Sequence, residues 1–104
     1  MIITTSAQIE GKKITKTVGL VKGNTIRARH LGKDIMAGLR AMVGGEVTEY
    51  TKMMAEAREQ AIHRMIEDAE KQEANAIISM RFTTSMIMGG ASEILAYGTG
   101  VVLE

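Results

Sequence analysis

The sequence predicts an α+β domain with two layers, in which helices pack on one face of a mainly antiparallel sheet. Apolar residues recur at three- and four-residue steps from Tyr50 to about Gln72, which is typical of an amphipathic helix. A strand-like alternation follows directly over 77–88, and only Glu73-Ala74-Asn75 separates the two. Because this joint is so short, we expect the helix to lie back over the sheet.

Two helices are predicted. The second of them starts near Thr48, a suitable N-cap, and is the long charged helix described above. The first covers 31–43, where Leu31, Ile35 and Leu39 share one side, and Gly44-Gly45 ends it.

The predicted strands cover 2–5, 13–22, 77–88 and 93–103, and residues 25–30 either extend the second strand or form an irregular connection. Gly89-Gly90-Ala91-Ser92 is predicted to be a hairpin loop. The alternation of Ile78, Met80, Phe82 and Met86 with polar residues predicts one buried face. The last strand is apolar on both sides, which favours burial of this strand between subunits.

Length and composition indicate one domain over 1–104. Such a short chain has a small core, and it has no cysteine from which to form disulfides. The missing cysteines also exclude a thiolate metal site and fit a reducing compartment. With neither a secretory signal nor a membrane-spanning apolar run, we expect a soluble, cytoplasmic protein with no membrane partner.

The charges are segregated along the chain. Residues 1–44 carry eight Lys or Arg and two acids, whereas residues 45–75 carry eight acids and four bases. The two regions attract one another within a chain or between neighbouring copies, or they form an unevenly charged solvated surface. The basic residues also make nucleic acid a possible partner, although no aromatic residue or recognised module accompanies them. They are Lys12, Lys13, Lys16, Lys22, Arg27, Arg29, Lys33 and Arg40.

Glu59, His63 and Glu67 are the candidate ligands for a divalent metal. Their four-residue steps place them near one helix face, and carboxylates and imidazole are common metal ligands. The alternative is a solvated acidic stripe that contains a histidine. No enzyme motif is present, so no catalytic residue is predicted. Arg58 borders the apolar stripe, where it pairs with an acid across an interface or binds an anion.

An ordered set of landmarks spans nearly the whole chain, and in order and spacing it resembles the YbjQ-type family of small proteins. The landmarks are Thr4-Thr5, Glu10-Gly11-Lys12, Gly44-Gly45, Tyr50, Ala57-Arg58, Ala61, Ala69, Ala74-Asn75-Ala76-Ile77 and Gly98-Thr99-Gly100-Val101-Val102. The resemblance implies a dodecin-like subunit that assembles into a homo-oligomeric ring, usually a pentamer and sometimes a pair of pentamers. Some labels for the family say "putative heavy-metal-binding". Tyr50 and Asn75 join Arg58 as candidates for interface or anion contacts.

This chain departs from the family pattern at three places. Glu46-Val47 stands where the family usually has Arg-Ser, and Gly98-Thr99-Gly100 stands where it often has Gly-Thr-Ala. Glu73 replaces a glycine after the long helix, so Asn75 is predicted to make the left-handed turn there. Taken together, the sequence predicts a non-catalytic, homo-oligomeric binding or scaffold protein with a small ligand or metal at a subunit interface. The alternatives are a metal-binding protein that uses His63 and a protein associated with nucleic acid.

Overall fold

The computed structural model describes residues 1–27, 48–87 and 91–104, which form one helix and a four-stranded sheet. The elements are β1 (Ile2–Ile3), β2 (Ile14–Arg27), α1 (Thr48–Lys71), β3 (Ala76–Ile87) and β4 (Ala91–Leu103). The strand order is β1-β3-β4-β2; β1 is parallel to β3, and the other neighbours are antiparallel. The predicted α+β class with a mainly antiparallel sheet is therefore confirmed.

Some predicted elements fall outside the described residues. They are the helix over 31–43, Gly44-Gly45, Glu46-Val47 and the loop residues Gly89-Gly90. The other two residues of the predicted loop, Ala91 and Ser92, belong to β4, so this part of the loop prediction is wrong. Ala91 and Ser92 pair with Ile87 and Met86, so the ladder continues through them.

Helix α1 lies across β2 and β4. Its apolar stripe consists of small residues, and Ala57, Ala61 and Ala69 are all fully buried beside Met65. The facing strand residue is Gly23, and a Cβ added there would lie 2.6 Å from the carbonyl carbon of Arg64. Small side chains on both elements thus allow the helix backbone to approach the strand backbone closely.

The end of α1 is a Schellman motif centred on Glu73. Glu73 has φ 64°, its N–H donates to the Glu70 carbonyl at 3.0 Å, and the Ala74 N–H donates to the Ala69 carbonyl at 2.9 Å. The prediction that Asn75 makes the left-handed turn was wrong. The turn must come at the first residue after the cap for these two carbonyls to be reached.

A bulge in β3 changes which side chains face the helix. The register runs from Ile78 opposite Thr99 to Arg81 opposite Tyr97, so β3 contains one extra residue, and Ser79 has φ 54°. Beyond the bulge, Phe82 and Met86 lie on the helix side of the sheet but past the helix itself, and they are 41% and 81% exposed. The predicted buried face of this strand is therefore wrong for these two residues.

Candidate functional site

The free edge of β2 is covered by polar side chains of α1 and of Gln72, the residue that follows it. Alternate residues of this edge strand point their N–H and C=O groups away from β4, and these groups would otherwise be open to another strand. In each of three such residues, one backbone group is bound by a side chain of α1 or of Gln72. The contacts are Asp68 Oδ2 with the Lys22 N–H at 2.9 Å, Arg64 Nη1 with the Asn24 carbonyl at 2.6 Å, and Gln72 Nε2 with the Leu20 carbonyl at 3.3 Å. The edge is therefore sealed over 20–24.

This arrangement was not predicted from the sequence, although a signal for it is present there. Gln60, Arg64, Asp68 and Gln72 recur at four-residue steps, so they form a polar row along one flank of the apolar stripe. Gln60 Oε1 continues the row by accepting a hydrogen bond from Arg27 Nη2 at 3.2 Å. A row of this kind beside a buried stripe indicates side chains that reach the rim of a sheet.

A groove of about 610 Å³ lies beside this seam. Arg64 and Asp68 are already bound to the β2 backbone, and Glu93 Oε2 accepts from Asn24 Nδ2 at 3.0 Å. Three cationic and three acidic side chains balance in charge, so the groove favours a polar molecule of little net charge over a strong anion. The lining residues are Lys22, Gly23, Asn24, Arg64, Glu67, Asp68, Lys71, Glu93 and Leu95.

The structure brings together two of the three candidate metal ligands. His63 Nε2 lies 2.8 Å from Glu67 Oε1, and both side chains are largely exposed. Over residues 1–27, 48–87 and 91–104, no three histidine or acidic side chains are arranged to hold a metal ion, so Glu59 does not complete the set. Tetrahedral zinc needs four ligands, and the donors described within one chain do not fit a complete site.

The three candidates for interface or anion contacts have different positions. Arg58 is exposed on α1, beside the buried Ala57. Tyr50 belongs to the first turn of α1, and its side chain lies outside the described part. Asn75 has a structural contact: its Nδ2 donates to the Leu103 carbonyl at 3.2 Å, and its Oδ1 accepts from the Leu103 N–H at 2.7 Å. Asn75 thereby fixes the end of β4 to the start of β3.

The basic residues of the first half do not form a complete patch in the described part of the chain. Lys12, Lys13, Lys16 and Lys22 are exposed there, whereas Arg29, Lys33 and Arg40 lie outside the described residues. Arg27 is half-buried and bound to Gln60. The association with nucleic acid stays a prediction.

Large apolar side chains are exposed on both faces of the sheet. On the face away from α1, which we call the open face, Leu20 is 61% exposed and Ile26 is 56% exposed. Half-buried Leu95 and Tyr97 of β4 lie on the same face, opposite Asn24 and Lys22 respectively. A mixed apolar and polar surface of this kind is common at contacts between subunits.

A scan against protein-family models matches residues 1–104 to the family YbjQ_1, described as "Putative heavy-metal-binding". The chain belongs to this family. The YbjQ_1 match extends over the same stretch as the landmarks from Thr4-Thr5 to Val101-Val102, so the resemblance predicted from them is confirmed.

Curated relatives share the full length of this YbjQ_1 chain. A "UPF0145 protein" of Methanosarcina acetivorans is 65% identical over 101 residues, covering 97% of this chain and 95% of the relative. Another, from Dehalococcoides mccartyi, is 59% identical over 104 residues and covers both chains completely. A third, from Archaeoglobus fulgidus, is 52% identical and covers 100% of this chain and 96% of its own.

A solved structure supports the fold. It is a Pediococcus pentosaceus protein of unknown function from the DUF74 family, with a TM-score of 0.65 at 18% identity, and it covers 100% of this chain and 98% of its own. At this identity the likeness concerns the fold alone. Within the described ranges, no helix has the length and apolar character that a bilayer span requires.

Proposed function

We propose that the protein is a non-catalytic, homo-oligomeric binding or scaffold protein whose copies cover one another's sheet. The observation that carries the proposal is the pair of exposed residues on the open face, Leu20 and Ile26. Burying a side chain of this kind contributes roughly 1.5–3 kcal/mol, so each copy gains by covering its neighbour. A ring of five copies, or two such rings, is the assembly that the family resemblance implies.

The proportions of the chain support the proposal. The radius of gyration is 17.0 Å, whereas a compact chain of this length has about 13 Å. An extended chain leaves more surface in water, and a surface that includes large apolar side chains favours association. A ligand for the assembly would bind between copies, beside the polar groove that contains Lys22, Asn24 and Glu93.

Light scattering after size-exclusion chromatography at micromolar concentration tests the assembly. The expected mass is a multiple of 11.3 kDa. The double substitution Leu20→Lys and Ile26→Lys should lower the mass, because it places charges on the apolar contact. The double substitution Ala7→Lys and Gln8→Lys is the matched control, since it adds the same two charges at exposed sites off the sheet. A folded wild-type monomer of 11.3 kDa would rule out the proposal.

Metal binding is a second candidate, favoured by the contact between His63 and Glu67 at 2.8 Å. These two side chains supply an imidazole and a carboxylate one helical turn apart, which is half of a tetrahedral zinc set. The remaining donors would come from another copy or from water. The candidate thus depends on assembly, and it uses a helix face that is exposed in one chain.

Native mass spectrometry with Zn²⁺ tests this candidate. The wild type should take up the ion, whereas His63→Ala should lose most of the uptake because an imidazole ligand is gone. Glu70→Ala is a matched control, since it removes an exposed carboxylate elsewhere on the same helix. Equal uptake by wild type and His63→Ala would exclude the site.

A further inference from the structure

The described residues cover the outer edge of β3 over only half of its length. The N-terminal segment pairs with the first half: the Thr4 N–H donates to the Ile77 carbonyl at 2.9 Å, and the Met80 N–H donates to the Thr4 carbonyl at 3.1 Å. Arg81 ends this cover, with its Nη1 bound to the Thr5 carbonyl at 2.9 Å. Beyond Arg81, no described residue pairs with the outer backbone groups of β3.

The ladder shows which residues point their backbone groups outward. The Lys22 N–H points away from β4, so the opposite residue, Tyr97, points its groups towards β3. Tyr97 pairs with Arg81, whose groups therefore point back towards β4. Successive residues alternate, so the outward groups belong to every second residue after Arg81. These residues are Phe82, Thr84 and Met86.

In the part of the chain that the structure describes, the open half-edge has none of the features that keep strands apart. Proteins protect free edges with charges, prolines, bulges or covering side chains, and the β2 edge of this same sheet is sealed by Arg64, Asp68 and Gln72. Residues 82–87, by contrast, contain no charge and no proline. A free edge of this composition is a template for another strand.

We propose that this half-edge pairs with the same half-edge of a second copy, antiparallel about a two-fold axis at Thr84. The inference rests on the proposed self-assembly and specifies one of its contacts. In this register Thr84 faces Thr84 of the second copy, and Phe82 faces Met86 of the second copy. All six outward N–H and C=O groups of each copy are then paired, and sulfur–aromatic contacts form at both ends.

The sealed edge of β2 selects this pairing over the alternative. Sheet extension from head to tail would place β3 of one copy against β2 of the next. One backbone group of each of Leu20, Lys22 and Asn24 is already bound within its own chain, and the side chains that bind these groups lie across the edge. A self-complementary contact needs only the open edge. Because a two-fold contact joins copies in pairs, it cannot close a five-membered ring but it can join two rings.

Cysteine cross-linking tests the register, and the chain is suited to it because it has no cysteine of its own. Thr84→Cys should form a disulfide-linked dimer on mild oxidation, since opposite Cα atoms at a hydrogen-bonded pair are about 5.5 Å apart. Ser85→Cys is the control. Its two copies would lie two residues out of register, roughly 8 Å apart, which is beyond the reach of a disulfide.

A charge substitution tests the contact in solution. Thr84→Lys places two like charges opposite each other and should halve the mass measured by light scattering, from two copies to one or from two rings to one. Thr84→Val keeps the β-branched shape and should retain the wild-type mass. Circular dichroism should show both variants folded, because Thr84 is exposed.

Two results would overturn the inference: Thr84→Lys with the wild-type mass, or Thr84→Cys cross-linking no faster than Ser85→Cys. If the protein still forms oligomers, either result excludes only this contact and leaves the proposed function unaffected. A wild-type monomer of 11.3 kDa removes both.

Discussion

Replacing Gly23 by alanine is expected to separate the helix from the sheet. A Cβ at this position would lie 2.6 Å from the carbonyl carbon of Arg64, and it would lie closer still to the Met65 amide nitrogen and the Ala61 carbonyl oxygen. All three atoms belong to the helix backbone, which cannot turn aside as a side chain can. Carbon atoms normally approach to about 3.5–4.0 Å, so α1 must move away by roughly 1 Å.

The expected loss of unfolding free energy follows from the packing and the hydrogen bonds that this movement disrupts. Overpacking in a filled core costs about 1–3 kcal/mol. The residues on either side of Gly23 are Lys22 and Asn24, whose backbone groups bind Asp68 and Arg64 at 2.9 and 2.6 Å. Two lost hydrogen bonds add about 0.5–1.5 kcal/mol each. The expected loss of unfolding free energy is therefore about 4 kcal/mol, which lowers the Tm by about 15 °C or more.

Urea denaturation followed by circular dichroism at one fixed protein concentration measures this loss. Gly100→Ala is the matched control, because its added Cβ would meet the side-chain atoms Val21 Cγ1 at 3.0 Å and Ala74 Cβ at 3.2 Å. A shift of a few tenths of an ångström relieves these contacts, so a loss of about 1 kcal/mol is expected. Hydrogen exchange should also show lost protection of the Lys22 N–H in Gly23→Ala. Equal losses in the two variants would refute the reasoning.

Three substitutions and one measurement without a substitution test other parts of the structure. Glu73→Gly should raise stability by about 0.5–1 kcal/mol in thermal unfolding, because glycine removes the left-handed strain but adds unfolded-state entropy. Thr25→Val should raise it by about 1 kcal/mol, since the buried Thr25 hydroxyl has no partner among the described residues; unchanged stability would contradict this. Asn75→Ala should lower it by about 1–2 kcal/mol through two lost bonds to Leu103. The Tm of the wild type should rise with protein concentration, as it does when folding and assembly are linked.

The elements that the sequence predicted well are those with a sustained period. The amphipathic stripe from Tyr50 to Gln72 predicted α1 to within two residues, because alanine and methionine at three- and four-residue steps can bury only one face. The strand over 77–88 was equally clear, and it was found as Ala76–Ile87. Periodicity decides the type of an element, since it depends on the local chain alone.

The bulge at Ser79 shows what periodicity could not supply. Alternation assumes one residue per pleat, and one extra residue transfers every later side chain to the other face. The exposure of Phe82 and Met86 also depends on how far across the sheet α1 extends, which is a property of the tertiary structure. The sequence therefore predicted the start of the strand to within one residue and assigned its exposed side chains wrongly.

The candidate site was less predictable, because it depends on contacts between distant parts of the chain. In the sequence, Arg64 and Asp68 look like ordinary charged residues on a solvated helix face. They form hydrogen bonds with the backbone of β2 only because the fold places β2 beside them. His63 and Glu67 were predictable, since a four-residue step brings them together in any helix. A complete metal site was not predictable, because its remaining donors would have to come from other elements or from another copy.

The close seam between helix and sheet has a consequence for assembly. It is built from glycine and alanine, which bring backbones together but bury little apolar surface, and only Met65, Ile77, Val21 and Val101 are large and fully buried among the described residues. Burial of apolar surface is the main stabilising contribution to folding. Because one chain buries little apolar surface, contacts with other copies would have to supply much of this contribution. Leu20 and Ile26 on the open face, and Phe82 and Met86 past the helix, are the side chains that can supply it. The same small residues that let α1 seal one edge of the sheet thus favour a chain that completes its core with other copies.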